Sequence, residues 1–196
     1  MKYVNILLIG ILLTGFSLRE SDIFHASAKD SKITWAGKRV NYGHYGSVDL
    51  LSGELEFEGD DLLGGEFVID MKSIRDLDME DEKRSGRLAG HLKSEDFFDV
   101  ENYPKALFAI TSVKKEKTDN GNYILTGLLT VRGKTNTESF NAQIDRDGNT
   151  VTAKGKVVFD RTKYDVKYGS GSFFDDLGDK MIHNNIELDV EIVAYK

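Results

Sequence analysis

The sequence predicts an all-β fold, either a sandwich or a closed antiparallel barrel of about eight or nine strands. Three observations carry this. Apolar and polar residues alternate with period two along most of the chain, giving strands with one dry and one wet face. Gly, Asn and Asp cluster between the alternating runs, as at Asp119-Asn120-Gly121-Asn122 and Asp147-Gly148-Asn149, where hairpins need positive φ. One segment alone, 82–93, carries helical spacing.

The chain opens with Met1-Lys2-Tyr3 and an apolar run over 4–18. That run is shorter than the ~20 residues a membrane-spanning helix needs. Ala26-Ser27-Ala28 follows as a small-x-small cleavage site, so residues 1–28 read as a secretory signal peptide. The domain is then 29–196, periplasmic or secreted, with no integral membrane span after processing. No cysteine follows the apolar run, so lipid acylation there is excluded.

Strand signals follow in order at 33–37, 54–58, 66–70, 107–113, 123–131, 140–144, 151–157 and 186–192. The last is the clearest: Ile186-Glu187-Leu188-Asp189-Val190-Glu191-Ile192 alternates without a break. Between the third and fourth lies the helix. Leu88 and Leu92 stand at i, i+4, with Lys83, Arg84, Arg87 and Lys93 around them. Closing such strands into a barrel removes sheet edges and leaves an interior wide enough for side chains or one small ligand. The inward set is then Trp35, Leu55, Phe57, Phe67, Ile69, Phe108, Ile110, Phe140, Val157, Phe159, Leu188 and Val190. A solid core and a ligand-holding lumen use the same residues, so the pattern leaves both open.

Composition removes several functions. With 196 residues and no Cys, the chain makes one domain without disulfides or thiolate metal sites. Lys and Arg number 26 against 33 Asp and Glu, a net charge of −7, which argues against nucleic acid as a partner. Gly133-Lys134-Thr135 resembles the end of a phosphate loop, but that loop needs Gly at position 128, where Leu stands. Asp76, Asp78, Glu80, Asp81 and Glu82 crowd one segment. An EF-hand counted from Asp76 would need Gly and Glu where Asp81 and Arg87 stand, so the segment reads as a solvated acidic loop. No G-x-S-x-G or H-E-x-x-H occurs. His44, His91 and His183 lie too far apart in sequence for a local ligand pair, and no resident metal or cofactor is expected. An enzyme would need these three histidines to converge on nearby acids.

The run Gly90-His91-Leu92-Lys93-Ser94-Glu95-Asp96-Phe97-Phe98-Asp99-Val100-Glu101-Asn102-Tyr103-Pro104 closely resembles the hallmark of the YceI family. His44-Tyr45-Gly46, Ile69-Asp70-Met71-Lys72-Ser73-Ile74, Gly127-Leu128-Leu129-Thr130-Val131-Arg132-Gly133-Lys134-Thr135 and Phe159-Asp160-Arg161-Thr162 are similar to its other segments, in the same order. The resemblance spans about 33–194. It implies a lipocalin-like antiparallel β-barrel of about eight strands with one short helix. It also implies an extracytoplasmic protein, not an enzyme, whose lumen holds a polyisoprenoid or isoprenoid quinone. On that reading Trp35, Phe57, Phe67, Ile69, Phe108, Ile110, Phe140, Phe159, Leu188 and Val190 line the lumen, and His44 and His91 stand at a polar mouth. The alternative is a ligand-free barrel serving in envelope stress or interaction. A homodimer is left open.

Overall fold

The computed structural model describes residues 21–119 and 121–196. The apolar run at 4–18 and the hairpin residue Asn120 lie outside the described residues. The strands are β1 (Asp22–Ala26), β2 (Lys32–Arg39), β3 (Gly43–Glu58), β4 (Asp61–Asp76), β5 (Lys105–Thr118), β6 (Gly121–Val131), β7 (Lys134–Asp147), β8 (Thr150–Asp160) and β9 (Ile182–Tyr195). Helix α1 (Glu82–Lys93) connects β4 to β5. All ladders between neighbouring strands are antiparallel. Strands β3-β2-β9-β8-β7-β6-β5-β4 run round the wall in that order, and pairing of β3 with β4 closes the ring. This is the lipocalin-like barrel of eight strands expected, with its one helix.

Strand β1 is an addition to the ring. It pairs with the end of β3 from Asp22↔Phe57 to His25↔Glu54, and with Tyr195 and Ala194 of β9. It fills the wall at the end of the barrel opposite the β2–β3 hairpin. Phe24 on it is fully buried and meets Phe57 edge to face at 5.5 Å. Arg146 donates to Asp22 at 2.9 Å, and its guanidinium lies 4.7 Å from the Phe24 ring. The domain's first strand thus lies inside the segment 1–28 assigned to the signal. The boundary after Ala28 would cut away a strand that closes the wall.

Most strands exceed the alternating runs that announced them. Strand β3 has 16 residues, of which 54–58 showed the pattern. Its register against β4 shifts between Ser47 and Asp49, between Leu50 and Ser52, and between Glu56 and Phe57. Between Leu50 and Ser52 the extra residue lies on β3 and breaks its period of two; at the other two shifts the extra residues lie on β4. Strand β9 has no such break against β8 between Tyr195 and Asn185. Its outward acids reach lysines on its neighbours, with Lys38–Glu187 at 2.7 Å, Lys154–Glu191 at 2.8 Å and Lys156–Asp189 at 3.1 Å. Such exposed pairs contribute little stability each, but they confirm which face of β9 is wet.

Helix α1 keeps the expected bounds. The Asp81 carboxylate caps it by accepting from the Arg84 amide at 3.0 Å, and Ser94 ends it with a hydroxyl donated to the His91 carbonyl at 2.8 Å. Leu92 is buried and Leu88 packs beside it over the barrel end.

The core falls into two clusters. One, at the β1 end, holds Phe24, Leu55, Phe57, Leu62, Tyr123 and Ile144 with others, all at or below 5% exposure. The other lies under α1 and includes Val48, Met71, Leu92, Phe97, Phe159 and Ile186. The barrel is therefore closed at the β1 end and capped by the helix at the mouth.

Candidate functional site

Beneath α1 lies an apolar cavity of about 160 Å³. Its wall includes Trp35, Ile69, Phe159 and Leu188 from the strands, and Leu88, Leu92, Phe97 and Phe98 from α1 and the turn after it. A second apolar cavity, of about 100 Å³, lies deeper, lined by Phe67, Phe108, Ile110, Phe140, Leu188 and Val190 among others. Ile33, Ile69, Leu129 and Leu188 belong to both walls. An engineered apolar cavity of roughly 150 Å³ stays dry and takes up benzene, so spaces of this size hold apolar ligands.

Nine of the ten expected lumen residues line one cavity or the other. Phe57 does not. It points inward, but it is 1% exposed and locked into the closed-end cluster. Period two gives the face of a residue, not its depth along the barrel.

The lumen is hollow because its aromatic rings lie against the wall. Trp35 faces Gly46 across the β2–β3 ladder, and a side chain on Gly46 would strike the indole and the Arg75 carbonyl. Gly127 seats the Phe108 ring, whose nearest carbon would be 2.5 Å from an added Cβ. Without those glycines the rings would be pushed off the wall and into the centre.

The mouth carries the expected histidines, and both border the upper cavity. His91 lies 4.6 Å from the Tyr168 ring and 5.8 Å from Phe97, edge to face in each case. Its Nε2 is buried and has no hydrogen-bond partner. That is a polar atom in an apolar wall, free to meet a polar group of a ligand. His44 instead holds Asp78, Nδ1 to Oδ2, at 3.0 Å. His183 is exposed and lines neither cavity, so the three histidines form no common site.

The Asp96-Phe97-Phe98-Asp99 turn positions the mouth. Amides of Phe97 and Asp99 donate to the Ser94 carbonyl at 3.0 and 2.8 Å, which folds the chain sharply back after α1. Phe97 is thereby buried, while Asp96 faces solvent. Arg132 fixes the turn from β6–β7 by donating to the Phe97 carbonyl at 2.9 Å. Beneath it lies Arg161, fully buried, which sequence reasoning left without a role. It donates to the carbonyls of Val166 (2.7 Å), Ile182 (3.1 Å) and His183 (3.1 Å) and faces the Phe97 ring at 5.4 Å. Burial lowers its pKa to about 10, against the pull of Asp160, so it stays charged at neutral pH. It ties the 165–182 segment to the barrel rim. The Asp160-Arg161-Thr162 motif was its only sequence signal.

Asp76 corrects the reading of the acidic loop. It is 7% exposed rather than solvated, and it stands with His44 and Asp78 within 4.8 Å.

A groove of about 740 Å³ runs outside the wall along β7, β8 and β9. Phe140, Lys154, Gly155 and Val190 border both this groove and the deeper cavity. Among the described residues, the β7–β8 ladder runs from Asp147↔Thr150 to Ala142↔Gly155 and no further toward the mouth.

Comparison with known proteins agrees with this architecture. BcnA of Burkholderia cenocepacia superposes with a TM-score of 0.68 at 22% identity, over 86% of this chain and 99% of its own. A polyisoprenoid-binding domain from Saccharophagus degradans, implicated in plant cell wall breakdown, gives 0.61 at 11% identity over 88% and 97%. The YceI protein of Campylobacter jejuni gives 0.54 at 17% over 100% and 99%. At these identities the likeness shows the fold. A UPF0312 protein of Photorhabdus laumondii is 33% identical over 106 residues, which is 54% of this chain and 53% of that protein, about half the length of each. The model of the YceI-like domain matches residues 24–194. Its match begins within β1, at the buried Phe24, and takes in the hollow barrel, the helix and the folded turn: the chain belongs to the YceI-like domain family.

Proposed function

We propose that the protein binds and carries a long apolar lipid, of the polyisoprenoid or isoprenoid-quinone class, in its barrel lumen. One observation carries this reading: two apolar cavities adjoin in the barrel interior, and the inward-facing Trp35, Phe67, Ile69, Phe108, Phe140 and Leu188 on their walls are only half-buried. An apolar chain entering there would cover that surface, at roughly 0.8 kcal/mol for each buried CH₂. The polyisoprenoid-binding relative supports the ligand class. His91 Nε2 would meet a polar head at the mouth. Binding rather than turnover is the role inferred, since His44, His91 and His183 do not converge.

Trp35 is the chain's single Trp and borders the upper cavity, so its fluorescence reports occupancy. Organic extraction of purified protein followed by mass spectrometry should yield an isoprenoid lipid. Adding a polyprenol or quinone to the delipidated protein should then change the Trp35 emission saturably. Absence of both leaves the ligand-free barrel as the reading.

We further infer that the protein is exported, with processing ahead of Asp22 so that β1 is kept. The mature N-terminus, read by sequencing the exported protein, should lie at or before Asp22. A start at Lys29 would overturn this.

A further inference from the structure

Three groups meet where β3 begins and β4 ends. His44 Nδ1 and Asp78 Oδ2 are 3.0 Å apart, and a carboxylate oxygen of Asp76 completes a set within 4.8 Å. Asp78 Oδ1 is held by the Tyr45 amide at 2.9 Å, and Asp76 Oδ2 by the Met79 amide at 3.2 Å. Asp76 Oδ1 is buried with no hydrogen-bond partner, on a side chain in a residue 7% exposed. Two carboxylates facing each other, one of them buried, are costly unless something positive or a proton lies between them.

We propose that His44, Asp76 and Asp78 bind one first-row divalent cation, of the zinc or manganese class, which pins the β4–α1 connection to the start of β3. One imidazole and two carboxylates, with no thiol, suit such an ion better than calcium or magnesium, which take oxygen sets. Tetrahedral zinc with bonds near 2.0–2.1 Å spaces its ligand atoms about 3.3 Å apart, so the His44–Asp78 edge already fits. Asp76, within 4.8 Å of the other two, would have to draw in to complete the set. Both carboxylates are also held from behind by backbone amides, and Leu77 between them donates to the Tyr45 carbonyl at 3.0 Å.

The distance between these residues in sequence hid the site, since two acids and one histidine at 44, 76 and 78 show no ligand spacing. His44 also borders the upper cavity, so an ion there would couple to the mouth.

The test uses the full protein after chelation and dialysis. Zinc titrated by calorimetry should bind at one equivalent and raise the thermal midpoint saturably. Cobalt should give the visible absorption of a low-coordinate nitrogen–oxygen site. Asp76→Asn, Asp78→Asn and His44→Gln should each weaken zinc by ~100-fold or more and lose the cobalt band. Asp76→Asn keeps the side-chain shape, so it stays informative if either other variant folds poorly. Asp175→Asn, in an exposed part of the mouth segment, should bind as the wild type does. Absence of one-equivalent binding, or equal binding by all three ligand variants, overturns the proposal and makes the cluster a proton-sharing pair.

Discussion

Phe24, Leu55, Phe57 and Val151 at the closed end are at most 1% exposed. Phe67, Phe108, Phe140 and Leu188 face inward on the same sheet and remain half-buried. Both groups sit on strands of the same nine-stranded sheet. The difference lies in what each ring meets. At the closed end Phe24 crosses from β1 to stand edge-on against Phe57, with their planes at 70°. Higher in the barrel, Phe108 and Trp35 lie on glycines and leave the centre empty. One end of the interior is spent on holding the fold, and the other is left for a guest.

The sharpest way to break this contrast is to truncate one ring at each level. Phe57→Ala should cost ~3–5 kcal/mol, measured by denaturant unfolding of delipidated protein. Phe108→Ala should cost about half as much, because its ring already faces a void. Equal losses would mean that the upper interior is packed after all.

The wall glycines give the next effect. Gly127→Val should displace Phe108 and cost ~1–3 kcal/mol, while lowering co-purified lipid. Loss of stability with unchanged lipid content would separate the glycine from the lumen.

Val190→Trp adds bulk where the deeper cavity has room. It should change the stability of delipidated protein by less than about 1 kcal/mol and still reduce lipid content. Asp189→Trp, on the wet face, should leave lipid content alone. A large destabilisation by Val190→Trp without lipid would remove the carrier reading.

The smallest effect concerns acid. Lys196 and then Arg146 hold the Asp22 carboxyl below its ordinary pKa of 3.8. A lowered pKa contributes stability that is present above that ordinary value and lost as pH falls through the folded value. Asp22→Asn should flatten the acid limb of the thermal midpoint below about pH 4 and change nothing near neutrality in the lumen.

How much of this was readable depended on whether a feature was local. Helix α1 was legible from end to end, because Leu88 and Leu92 share one face of it. Strand β9 was legible because no bulge interrupts its alternation over 186–192; its one shift, against β2, lies before Ile186. The first half of β3 was not, since the bulge between Leu50 and Ser52 puts it out of phase with the 54–58 run. Strand β1 was hidden by its position beside an export-like run: Ile23 and Phe24 read as part of the leader. Asp76 was hidden for the opposite reason. It is one of five acids in a short segment, and only the tertiary fold buries it, half-buries Asp78 and leaves Glu80, Asp81 and Glu82 exposed. The lumen was legible as a face, through nine residues that line it, but Phe57 shows that alternation says nothing of height along the axis.

The incomplete β7–β8 ladder bears on how large a guest the barrel admits. A hoop of unbroken backbone bonds has a fixed girth, and swelling it tears those bonds. Here, among the described residues, the hoop is slit from Ala142 and Gly155 up to the rim. Across the slit, Tyr164 donates to Glu138 at 2.8 Å and the Asn136 amide donates to the Lys163 carbonyl at 3.1 Å. Those two fastenings yield at far lower cost than a ladder does. The upper barrel is thus built as a cuff rather than a pipe: its girth at the rim is set by two side-chain fastenings, while at the foot it is set by backbone ladders.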